Sequence, residues 1–444
     1  MKNFILFVLL LLLQACYSAK KNDAHSNKIA AHYSYAYGKI VGNNVKTHMA
    51  DVYITPAGVQ KMITALVALK ALGPEARFQT ELFANKKDVV IAFSGDPKFS
   101  SEDLYNLLLP LKGRNIKGKI MLDVSVFKTP PHSPNLMLAN LGKYFAAPVF
   151  GANIDENQIE MKVIPYQLNY PALVQVASPY KVVSTVVTDN QPTEVKRCWK
   201  DGRINLSGNI KFNDEIFEFE MSPLKIEPYV LNKVKTVMKQ LNINGRVEFA
   251  YEPTLRPDDF VLINSHRSET LRDMLPEAMA HSNNLFFDVL YLSVLNKTSP
   301  TPVVCWNQGS DIFKQLIKQY YDVDVAHAVI VDGSGLSRYN RIQAKKLLEL
   351  LKRGYLELDF VQSLPKPSEE NFYKISRGVI LLTDDFRVKS GSLGSLVAIA
   401  GYKLDVKNPK AFVVTANGFD VEDLKHPTDL TYKLDKDIIK AVGY

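Results

Sequence analysis

The chain of 444 residues is 46% hydrophobic and 23% charged, enough apolar material for a large core and for two or three domains. A formal charge of +8 and a pI near 9.0 favour acidic surfaces such as anionic lipid or cell-wall polymers. No long Lys/Arg run and no basic-aromatic interleaving is present, so the composition gives no support to a nucleic-acid partner.

The N-terminus reads as an export signal: Lys2 precedes the apolar run Phe4 to Leu13, which is too short to span a bilayer comfortably. A leader over residues 1–19 and a periplasmic destination are predicted. Leu13-Gln14-Ala15-Cys16 resembles the lipobox of bacterial lipoproteins, which implies a lipid on Cys16 and a membrane-anchored protein; ordinary cleavage nearby is the alternative. Cys198 and Cys305 lie far apart, and an exported setting permits a disulfide between them without requiring one.

Tyr33, Tyr35 and Tyr37 alternate in a predicted strand from Ala30 to Val41. Thr55 and Pro56 then suit the cap and first position of a helix, with Val59, Met62, Ile63, Leu66 and Leu69 at helical spacing and Gly73-Pro74 as the stop. Gly58 and Lys61 share a face of it. From 76 to 261 the texture becomes β-rich, with short runs such as Asp88 to Phe93, Lys119 to Val124 and Ile204 to Ile210, and is expected to form an insertion of two subdomains. Helical texture returns over Ser268–Ala280 and Leu285–Leu295, leaving Ser282 and Asn284 on the turn between. Further helices are predicted over Gly309–Tyr320 and Gln343–Tyr355, and a strand pair over Leu396–Ala400 and Ala411–Ala416. Residues 30–75 and 262–420 are expected to form one discontinuous α/β (α+β) domain around the insertion, and 421–444 a tail.

A lysine one turn into a helix, a Ser-x-Asn turn and a Lys-Ser-Gly strand are each commonplace. Together and in this order they form the set seen in penicillin-binding proteins and serine β-lactamases. Pro56 to Ala65, Tyr144 to Ile154, Asp332-Gly-Ser-Gly-Leu-Ser-Arg-Tyr-Asn340 and Lys389-Ser-Gly-Ser-Leu-Gly394 running to Tyr402 resemble the D-alanyl-D-alanine carboxypeptidase/endopeptidase family, class C penicillin-binding proteins with a large insertion after the first motif. The resemblance covers about Ala31 to Phe419. It implies a transpeptidase-like, serine β-lactamase-like fold and hydrolysis of peptidoglycan stem peptides ending in D-Ala-D-Ala through an acyl-enzyme, with no cofactor and no metal. Lys61 matches the base, Ser282 the proton-relay hydroxyl, Asn284 the substrate-orienting amide, and Lys389 with Ser390 the cluster facing the terminal carboxylate. The strand through Gly391 and Ser392 would pair with the substrate backbone and lend an N–H to the oxyanion hole.

The family pattern has serine where this chain has Gly58, so no hydroxyl stands at the attacking position. Thr55 and Thr64 do not share its register. Losing a nucleophilic serine costs roughly a millionfold in turnover where it has been measured. Lys128 to Leu141 also lacks the family's tryptophan-rich text, and Leu364 to Glu370 its Gly-Thr-Leu. A serine-type D-Ala-D-Ala carboxypeptidase/endopeptidase homologue impaired in acylation is therefore expected; a non-cleaving binder of stem peptides or of a cell-wall enzyme, able to hold a β-lactam non-covalently, is the alternative. A working peptidase with an unrecognised nucleophile stays open, and a β-lactamase is disfavoured by the insertion.

Overall fold

The computed structural model describes residues 32–176, 180–254, 260–369, 382–405, 407–418 and 436. The leader with Cys16, and the tail apart from residue 436, lie outside the described residues.

The alternating tyrosines form β1 (His32–Lys39), paired antiparallel with β2 (Val45–His48). After β3 (Tyr53–Ile54) comes a 3-10 turn over Ala57–Val59 and then α1 (Gln60–Ala71). The expected Thr55 cap is not made: its hydroxyl accepts a hydrogen bond from Arg341 Nη1, and Pro56 takes the cap position. The tight start follows from Ala57, whose φ of +46° lies outside the right-handed region that an α-helix needs. Left-handed Gly73 (φ +94°) lies just past the helix end, as expected. Every α1 residue but Lys70 is buried, so this is a core helix on all sides.

The next stretch holds β4 (Gln79–Ala84), β5 (Val89–Ala92), α2 (Ser101–Leu108) and β6 (Asn115–Asp123). It continues through β7 (Ile159–Ile164), β8 (Leu173–Val176), β9 (Val182–Ser184), β10 (Val187–Asp189), β11 (Glu194–Lys200), β12 (Arg203–Lys211) and β13 (Phe217–Met221). It closes with α3 (Ile226–Gln240), β14 (Asn244–Ala250) and β15 (Val261–Arg267). Among the described residues these strands form three sheets: β14-β6-β5-β4-β15, β13-β7-β8, and β10-β12-β11 with β9 also on β12. Helices α2 and α3 were not expected. The first does carry a local signal, because Ser100 and Asp103 form a reciprocal capping box.

Beyond it lie α4 (Leu271–Ala280), α5 (Asn284–Thr298), α6 (Gly309–Tyr321), β16 (Ile342–Gln343, paired with β3), α7 (Ala344–Gly354) and the unexpected short α8 (Leu358–Ser363). β17 (Phe386–Ser392), β18 (Leu396–Lys403) and β19 (Lys410–Asn417) complete an antiparallel sheet in the order β17-β18-β19-β1-β2. β18 and β19 are buried on both faces, which explains their unbroken apolar text. β17 lies at the sheet edge. One hydrophobic core gathers α1, α5 and the inner face of this sheet; a second fills the region between Leu82 and Ile243.

Candidate active site

Lys61 and Thr64 are three residues apart on α1 and point together at the loop that follows Val331. Lys61 Nζ donates to Ser334 O at 2.7 Å, and Thr64 Oγ1 to Gly333 O at 2.8 Å. The loop is folded by Asp332, which accepts from Gly335 N (2.9 Å), Asn340 Nδ2 (2.7 Å), Ser337 N (2.6 Å) and Ser133 Oγ (3.3 Å). Gly335 sits at φ +83°, and a Cβ there would fall 1.8 Å from Ala57 O. Only glycine lets the loop close on the start of α1.

His281, Ser282 and Asn283 form the turn between α4 and α5, with Ser282 left-handed at φ +55°, and Asn284, expected on that turn, is instead the first residue of α5. Asn283 caps α5 by accepting from Phe286 N at 3.0 Å. That cap aims Asn284 at the base of the cleft, where its Oδ1 accepts from Lys61 Nζ at 2.6 Å and its Nδ2 donates to Phe145 O at 2.7 Å. The structure thus joins Lys61 and Asn284 directly. Ser282 lines an adjoining cleft of about 280 Å³ together with Phe145, Glu156 and Glu277.

β17 arrives from the other side. Lys389 and Ser390 are buried on it and Ser392 is exposed. Register with β18 places Lys389 opposite Ala400 and Gly391 opposite Ala398. The strand is seated on position 58: a Cβ added to Gly58 would stand 2.7 Å from Ser390 O and 3.1 Å from Gly391 Cα. A Cβ on Gly391 would stand 2.0 Å from Gly58 N. The two glycines let the backbones approach more closely than any side chain at either position permits.

Sequence reasoning missed Asp288, a lone carboxylate in the apolar α5 and one turn on from Asn284. It accepts from Gly333 N at 3.0 Å and Ser334 N at 2.8 Å. Burial pushes its carboxyl up to about 8, with the neighbouring Asp332 adding repulsion. Burial also raises Asp332, opposed by the donors from Asn340, Ser337 and Gly335. Asp332 accepts from more donors than Asp288 does, so burial raises it against stronger opposition. Asp332 and Phe145 fall within the family-like segments, but only the fold shows them supporting Lys61 and Asn284. Cys198 and Cys305 are both exposed free thiols.

A family model for the D-Ala-D-Ala carboxypeptidase 3 (S13) family matches residues 40–435. The chain belongs to that family. It is 27% identical to the D-alanyl-D-alanine carboxypeptidase DacB of Haemophilus influenzae over 86% of this chain and 85% of that one. It is 23% identical to a D-alanyl-D-alanine carboxypeptidase of Actinomadura sp. strain R39, over 82% and 73%. Penicillin binding protein 4 of H. influenzae, also solved with a β-lactam, superposes with a TM-score of 0.81 at 23% identity over 95% of this chain and 99% of that one. The mixed α/β architecture expected from the motifs is therefore the penicillin-binding-protein fold. Members of the S13 family act on peptides ending in D-Ala-D-Ala. Among the described residues no helix is long and apolar enough to cross a membrane.

Proposed function

We propose that this chain binds peptidoglycan stem peptides ending in D-Ala-D-Ala without forming an acyl-enzyme. The observation that carries the reading is position 58: it has no hydroxyl, and Ser390 O stands where even a Cβ would need room. The recognition groups remain. Lys389 and Ser390 would meet the terminal carboxylate, Asn284 the peptide amide, and the edge strand β17 the substrate backbone by strand addition. Binding would open β17 away from Gly58, a movement that its place at the sheet edge makes accessible. The leader text supports export to the periplasm, with a lipid on Cys16 as anchor.

The test is intact mass after incubation with benzylpenicillin, paired with titration of a sugar-free stem pentapeptide. Unchanged mass with saturable pentapeptide binding is expected; a stoichiometric penicilloyl adduct would sink the proposal. For the anchor, Cys16→Ala should move the protein from the membrane fraction to the soluble periplasm.

A further inference from the structure

We infer that the groove between the Leu138–Phe145 segment and β11 is a second binding site, for the glycan strand of the same wall polymer. This rests on the stem-peptide reading above. The groove holds about 590 Å³ and is bordered by Leu138, Lys143, Tyr144, Phe145, Arg197 and Trp199. It is continuous with the active site: Tyr144 and Phe145 also line the cleft that holds Ser282 and Asn284, and Phe145 O takes the Asn284 amide hydrogen. The shared lining puts the groove within reach of a polymer whose stem peptide enters that cleft.

The lining matches an amino-sugar chain that bears free carboxylates where stem peptides have been removed. Sugar rings present C–H faces that pack on aromatic rings, and the Trp199 ring is held ready for such packing. Its Nε1 donates to Ser222 O at 3.1 Å, and its edge rests on Gly142, where a Cβ would come within 2.0 Å of the indole. Tyr144 is 40% exposed and Leu138 84% exposed beside it. The cations are also ordered before any ligand arrives: the Arg197 guanidinium lies 4.6 Å from the centre of the Phe219 ring, and Lys143 Nζ 5.8 Å from that of Phe145. Lys143 and Arg197 beside Tyr144 and Trp199 suit a sugar chain on which some muramic acids have lost their stem peptide and expose a free lactyl carboxylate; where the peptide is attached, that carboxyl is an uncharged amide.

The experiment uses the full chain and two probes: glycan strands stripped of peptide by an amidase, and the sugar-free stem pentapeptide. The wild type should bind the stripped strands. Trp199→Leu and Arg197→Glu should each weaken that binding at least about tenfold while the pentapeptide Kd stays unchanged. Cys198 lines the groove and Cys305 does not, so strands should slow maleimide alkylation of Cys198 and leave Cys305 unaffected. Trp199 is partly buried, and the exposed Arg197 variant keeps the test decisive if Trp199→Leu misfolds. Absent strand binding, or strand binding that neither variant weakens and that leaves Cys198 unprotected, overturns the glycan site even when the pentapeptide binds. Strand binding with Cys198 protected, but no pentapeptide binding, upholds the groove and removes the stem-peptide reading instead.

Discussion

Replacing Gly58 by serine tests whether the site is silenced by one missing hydroxyl or by the closed geometry around it. The new Cβ would lie 2.7 Å from Ser390 O, whereas ordinary contact begins at 3.4 Å, so β17 must retreat by roughly 0.7 Å. Both colliding atoms are backbone, which cannot swing aside as a side chain could. β17 is hydrogen-bonded on one side to β18, and on its other side Val388 N donates to Pro365 O at 3.0 Å. Retreat is therefore possible at the cost of overpacking, about 1–3 kcal/mol, or roughly 1–5 °C in Tm for a chain of this size. Gly58→Ala introduces the same Cβ without the hydroxyl and is the control. Calorimetry should show both variants losing similar stability, and a fluorescent penicillin should label Gly58→Ser alone, because only that variant adds a hydroxyl one turn from the Lys61 amine. If both variants keep wild-type stability, β17 is not seated on position 58 and the reasoning fails. If the wild type labels, Gly58 is not the attacking position.

Lys61→Met should cost about 3–5 kcal/mol in urea unfolding, since it leaves Asn284 Oδ1 and Ser334 O without this donor and removes a cation from beside Asp288 and Asp332; a loss under about 1 kcal/mol would contradict the buried pairing. Asp288, raised to about 8, favours the folded state most below the ordinary carboxyl pKa and loses that contribution as pH rises through about 8. Asp288→Asn, which retains an acceptor for Gly333 N and Ser334 N, should therefore gain stability relative to wild type between about pH 5 and pH 8.5, and an unchanged difference would refute the shift. His266 lies 3.5 Å from Asp96 Oδ2 and 3.3 Å from Asp103 Oδ1, and these carboxylates hold its pKa above the ordinary value. Its contribution is full below about pH 6.5 and fades as pH rises through the raised value. His266→Gln should accordingly destabilise more at about pH 5.5 than at about pH 8.5 in thermal melts.

Elements with strong local signals are legible in the residue order alone. The tyrosine alternation of β1, the helical spacing of α1, the break at Ser282 and the apolar text of β18 and β19 all depend on period and punctuation within a few residues. The misses share a cause. α3 carries its apolar residues at Ile226, Tyr229, Val230, Val234 and Val237, an orderly helical stripe, but it sits among short strands whose texture masks it. Thr55 resembles a cap because its type suits one, and only Arg341, 286 residues away in sequence, claims its oxygen.

The sequence by itself determined the family, the order of the motifs and the absence of a hydroxyl at position 58, because these are properties of residue identity and local spacing. Tertiary structure alone decided that Asp288 and Asp332 share a buried site with Lys61, that Phe145 holds the Asn284 amide, and that Ser390 O occupies the space above Gly58. Those facts depend on segments as far apart in the chain as Gly58 and Ser390 meeting in van der Waals contact. Such contacts are set by how the two cores and the sheets around them pack, and no local pattern of residues encodes them.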